Sequence, residues 1–169
     1  MGNWKKRGLT GLLMSALLCT QLVPGGAALT PDRLEAGTHN MPGIAGLLAG
    51  VRFVRHRGTD RILRHEQMLT RRTAELLRTL PAVEVFAAPE GKQQAGVLSF
   101  RVRGRDPELI GEALAERGIA VRAGLHCAPL AHRSAGTLNT GTVRVSFSAF
   151  NAPGDCEGLY YALREAIKK

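Results

Sequence analysis

The hydrophobic period of this chain changes near Pro81, and that change decides what it can fold into. Before Pro81 apolar residues recur at every third or fourth position, and in the stretches at 83–86 and 98–103 they alternate with polar ones. Helices must therefore lead into strands and share a core with them. Ile44, Leu47, Leu48, Val51 and Val54 form one stripe, predicting a helix that starts at Pro42-Gly43 with proline in its first turn and ends near Gly58. Asp60 is placed to cap a second helix, with Ile62, Leu69, Leu76 and Leu80 on its inner face until Pro81 stops it. Both stripes are expected to be buried, leaving the arginines in water. Val83 and Val85, then Leu98, Phe100 and Val102, read as half-buried strands. Asp106-Pro107 opens a helix carrying Leu109, Ile110, Ala113 and Leu114, which Gly118 ends. Ile119–Arg122 reads as a short strand. In a last strand Val143 and Val145 face one way and Arg144, Ser146 and Ser148 the other. A helix over Asp155–Ile167 closes the pattern. The predicted fold class is α+β, with helices packed on a small, mostly antiparallel sheet.

A length of 169 residues fits one domain. The formal charge of +9 comes mainly from arginines, many of them on the helical sequence at 52, 55, 57, 61, 64, 71, 72 and 78. No aromatic residues interleave with these in the manner of single-strand binders, so the basic face is read as solvated and no nucleic-acid partner is expected. Cysteines stand at 19, 127 and 156, an odd number without a Cys-x-x-Cys pair, which suits reduced thiols. His126, Cys127 and His132 lack the spacing of structural zinc sites, and no metal is expected. Residues 1–30 form a separate segment. Lys5, Lys6 and Arg7 make a basic flank within Trp4 to Gly8, Leu9–Val23 is apolar but interrupted, and Gly26, Ala27 and Ala28 follow, as in a signal peptide. The stretch is short for a membrane span. The alternative is that it is a remnant of sequence that once led into the domain at 31–169.

Two features carry chemistry. In Val121-Arg122-Ala123-Gly124-Leu125-His126-Cys127-Ala128-Pro129, a strand ends in a glycine turn that delivers a cysteine onto a loop. Thiols react as thiolates, and Arg122 and a charged His126 would lower the pKa of Cys127 if they lie near. The competing role for a lone cysteine is that of a small buried hydrophobe. Arg144 is the second feature, a single arginine on the polar face of an apolar strand. Its planar fork matches a carboxylate such as that of an amino acid, while an ion pair with one of the chain's own acids would explain it equally.

The order Glu35-Ala36-Gly37-Thr38-His39-Asn40, Arg122-x-Gly124-x-x-Cys127, Val143-Arg144-x-Ser146-x-x-x-Phe150-Asn151 resembles class V aminotransferases, most of all cysteine desulfurases and selenocysteine lyases. The resemblance covers residues 31 to 169. It implies the small C-terminal domain of a fold-type I transferase dependent on pyridoxal phosphate. By that resemblance Cys127 takes sulfur from cysteine as a persulfide, leaving alanine. Arg144 binds the substrate carboxylate and Arg122 supports it. Gly37 and Thr38 reach the cofactor phosphate of the neighbouring subunit in a homodimer.

The family's Schiff-base lysine belongs to a preceding large domain, and Lys5, Lys6, Lys92, Lys168 and Lys169 match none of its motif. The expectation is a fragment that is inactive alone and works with a separately supplied large domain or a full-length homologue, handing sulfur to an acceptor protein. Asn151-Ala152-Pro153-Gly154-Asp155-Cys156 departs from the family's usual entry into the last helix, leaving that helix's start open. Cytoplasmic location follows from the enzyme resemblance. The alternatives are a non-catalytic binding or regulatory module of the same fold, and an exported basic protein that binds anionic surfaces.

Overall fold

The computed structural model describes residues 39–89 and 91–168. Gly37, Thr38 and the Leu9–Val23 stretch lie outside the described residues. The chain divides into two units, Met1–Gly50 and Val51–Lys169. Helix α1, Met41–Arg57, runs across the division. Asn40 caps it, its side-chain oxygen accepting the Gly43 N–H at 2.9 Å. A Cβ on residue 43 would lie 2.6 Å from the Asn40 amide, so glycine leaves room for the cap. The expected buried stripe is not buried: none of the residues of α1 is, and Leu47 is 69% exposed. A helical period marks a face that seeks cover without supplying the cover.

In the second unit, helix α2 is Thr59–Arg78. Gly58, with φ of 83°, occupies its N-cap position, and Asp60 lies in the first turn rather than capping. The buried face is Leu69, Thr70, Thr73, Ala74 and Leu77, rotated from the predicted line through Leu76 and Leu80. The helix arginines face water as expected, and Arg72 reaches across to Glu157. Strands β1 (Val83–Phe86) and β2 (Val97–Val102) form an antiparallel pair.

Helix α3 is Pro107–Ala115, and Asp106 accepts the Glu108 N–H at 2.8 Å as its cap. Its end is a Schellman motif. Gly118, at φ of 75°, donates to Ala115 while Ile119 donates to Leu114. Ile110 and Leu114 are buried, but Leu109 is exposed. The short strand starts later than predicted, as β3 over Arg122–Gly124. A helix α4, Pro129–Ser134, occupies what the sequence pattern left as loop. Strand β4 is Thr142–Ser146, so Ser148 lies beyond it.

The closing helix α5 begins at Pro153, two residues before the predicted start, and runs to Lys168. Asp155 fixes that start by accepting from Ala152 N–H and Asn151 Nδ2, each at 3.0 Å. These bonds hold its carboxyl below the usual range. Asn151, whose carbonyl also accepts His65 Nε2 at 2.8 Å, thus has a structural task.

The sheet order is β1-β2-β4-β3, antiparallel throughout. One face presents Val83, Leu98, Phe100, Val102, Val143 and Val145 to α2, α3 and α5, and with Leu77, Ile110, Leu114, Leu159 and Leu163 these form a single core. The result is the predicted α+β architecture of helices on one side of an antiparallel sheet. Because strand side chains alternate, the opposite face carries Glu84, Ser99, Arg101, Arg122, Thr142 and Arg144. No helix among the described residues is long and apolar enough to cross a membrane.

Candidate functional site

Register decides which of these polar side chains meet. Arg144 on β4 pairs directly with Ser99 on β2 and with Arg122 on β3, so two guanidiniums stand side by side on one face. Like charges directly opposite one another repel. Arg101, one step along β2, is neutralised by Glu84 at 2.8 Å and lies over the Phe86 ring. Arg144 and Arg122 meet no carboxylate among the described residues. The ion pair that would have explained Arg144 internally is therefore absent there. Its Nε is buried and makes no hydrogen bond. Leaving such a donor unmatched costs about 1–3 kcal/mol, and more when it is charged. A carboxylate brought from outside would offset that cost.

The end of β3 leads into the turn that carries Cys127. Gly124, at φ of 100°, bends the chain, and Gly141, at φ of 69°, lets β4 approach it. A Cβ on residue 141 would sit 3.0 Å from the Gly124 backbone. The next four residues form a turn closed by Ala128 N–H on the Leu125 carbonyl at 2.9 Å. Its two central residues, His126 and Cys127, have φ of 52° and 56°. Left-handed backbone in residues that are not glycine costs of order 1–3 kcal/mol each and persists only where neighbours enforce it.

Cys127 is free and exposed, so the role of a buried hydrophobe falls to Cys156 instead. Cys156 is fully buried, and burial pushes its thiol up. His126 donates from Nε2 to the Thr142 carbonyl at 3.1 Å and lies 3.2 Å from the Thr142 hydroxyl. Burial first, then Arg144, His132 and Arg122, hold it below its ordinary 6.5. Burial and the neighbouring basic groups thus disfavour the charged form of His126 through which it would lower the Cys127 pKa. The same effects tie the turn electrostatically to both arginines. His132 is buried against Thr137, with Nδ1 and Oγ1 2.8 Å apart. The two rings, 5.7 Å apart, direct these nitrogens to threonines.

His126, Arg122 and Arg144 thus gather at one end of the open sheet face, and Cys127 follows His126 in the exposed turn. They line neither of the two grooves at α2 and at the β1–β2 end. Gly37 and Thr38 lie outside the described residues. Thr142 is missed in the sequence, and His132 is weighed there only as a zinc ligand; Gly141, whose φ requires glycine opposite Gly124, is the signal available.

The model of the aminotransferase class-V family matches residues 17–159. The protein named "Probable cysteine desulfurase" from Pyrococcus abyssi is 37% identical over 139 residues, covering 82% of this chain and 34% of that protein. The apo cysteine desulfurase from Thermococcus onnurineus NA1 superposes with a TM-score of 0.72 at 38% identity, over 82% of this chain and 34% of that one. The cysteine desulfurase CsdA (S-sulfonic acid) from Escherichia coli gives 0.70 at 30% identity, over 82% and 33%. The chain spans about a third of the length of these relatives. Motifs, fold and relatives agree, and the chain belongs to the aminotransferase class-V family.

Proposed function

We propose that this chain is the thiol-bearing and carboxylate-binding part of a cysteine desulfurase, acting together with the lysine-bearing large domain of such an enzyme. The observation that carries this reading is the buried, unbonded Nε of Arg144 beside Arg122, next to the turn that exposes Cys127. Arg144, supported by Arg122, binds the α-carboxylate of L-cysteine. The Cys127 thiolate forms an S–S bond to the substrate sulfur as the Cβ–Sγ bond breaks. The electron pair of that bond leaves with the carbon fragment, which takes up a proton and becomes alanine. Cys127 is left as a persulfide for an acceptor protein.

Pyridoxal phosphate is the cofactor of the family, and when bound it supplies an electron sink. The described residues fit the amino acid rather than the cofactor. Lys168 is bonded to Glu165, and Lys92 lines the groove along α2. Gly37 and Thr38 remain the candidates for the phosphate, across a dimer of the parent enzyme. The uncovered stripe of α1 supports a protein partner, either the large domain or a full-length relative. Free thiols suit the cytoplasm.

Co-expression with the large domain of a desulfurase relative tests the reading. Alanine is expected from L-cysteine with the unsubstituted chain. Replacing Arg144 with Gln should lower turnover per substrate bound by about 10²-fold or more, as loss of a bidentate charged contact does. Equal turnover with and without this chain would refute the assignment.

A further inference from the structure

Cys127 itself makes no hydrogen bond among the described residues, although its backbone is held in a conformation that resists it. Two successive left-handed residues closed by a 2.9 Å bond form the mirror-image hairpin turn, which normally takes asparagine or glycine. His-Cys in those places needs an external hold. The hold visible in the structure is one residue away.

We propose that His126 is the positioning residue of the thiol: anchored on Thr142, its imidazole keeps the left-handed turn Leu125–Ala128 in place and so keeps Cys127 on the Arg144 face. The inference rests on the functional reading above and adds to it a residue to which the family resemblance gave no role. A carbonyl oxygen only accepts, so the 3.1 Å contact requires the proton on Nε2 of His126. Thr142 is a rigid anchor, buried and paired with Gly124 across β3 and β4. The groups facing the ring are Arg144 from β4, Arg122 from β3 and His132 from α4. All are basic, and these groups favour the neutral ring. His132 is fixed on Thr137 and walls the remaining side. The imidazole therefore joins the loop that carries sulfur to the strand that carries Arg144.

The test compares alkylation of Cys127 by iodoacetate and by iodoacetamide in the full chain. Cys19 is replaced by Ser, and Cys156 is buried. Both reagents attack the same thiolate, so their rate ratio cancels its ionisation and reports the cations around it. Relative to the urea-unfolded chain, the folded chain is expected to favour iodoacetate by about threefold, the effect of a partly screened charge at close range. Arg144→Gln should lower that preference. His126→Gly, which tolerates the left-handed turn but removes the anchor, should abolish it while the core's NMR spectrum is unchanged. A His126→Gly chain that keeps the full preference, with Arg144→Gln losing it, would overturn the role of His126 and leave the functional reading standing. No preference in the folded chain, and no effect of Arg144→Gln, would count against that reading as well. Should the glycine variant not fold, the ring nitrogens of the unsubstituted chain still decide: a neutral Nε2–H tautomer titrating below 6.5 is expected. A neutral Nδ1–H tautomer would contradict the anchor.

Discussion

Arg144 shows how a residue can be poor for stability and good for binding. It leaves a buried nitrogen unmatched and stands opposite Arg122. Removing it should therefore stabilise the isolated chain. Arg144→Met is expected to raise the unfolding free energy by about 1 kcal/mol, through loss of the unmatched donor and of the like-charge pair. The shift of the urea midpoint at unchanged m-value measures it. Destabilisation instead would mean that the guanidinium has a partner in the folded chain. The sequence made Arg144 and Cys127 legible by residue type and spacing. It did not make Thr142 legible, because the bond to His126 uses a backbone carbonyl whose position depends on strand register. Nor did it show that the His126 pKa would be held down, since the burial of its ring and the approach of Arg144 depend on the folded chain.

Among the elements, those with strong local chemistry were readable and those set by tertiary contacts were not. Asp106-Pro107 and Gly118 specify α3 through a cap and a Schellman motif, both present in the structure. Asp106→Ala should cost about 1 kcal/mol in folding free energy, as loss of an N-cap does. Thermal unfolding compared with the exposed control Glu112→Ala would check it, and equal effects would show that the cap is silent. On the inner face of α2 Leu69 is buried as the period predicts, but Leu76 and Leu80 only continue that period, whereas packing against α5 and β1 selects Ala74 and Leu77. The start of α5 shifted because Asn151 and Asp155 form a cap that spacing alone did not reveal. The turn at 125–128 carries no glycine at either left-handed position, so turn chemistry gave no warning of it.

At the scale of the whole molecule, the change of period foretold a core on one face of an antiparallel sheet. The opposite face was legible only as an alternation of polar residues; strand order then placed Arg122 beside Arg144. The pattern in α1 was read as a buried stripe and is an exposed one, since periodicity records amphipathicity and not what covers it. With a third of the relatives' length, the chain carries both the guanidinium face and an exposed thiol. Its completion by a lysine-bearing large domain is the central claim. The most direct measurement is peptide mass analysis of this chain after incubation with L-cysteine, pyridoxal phosphate and the large domain of a relative. The account predicts one added sulfur atom on Cys127, removable by a reductant and absent from the Arg144→Gln chain. Alanine formed at the full rate with Cys127 unmodified, or sulfur appearing on Cys156 instead, would contradict it.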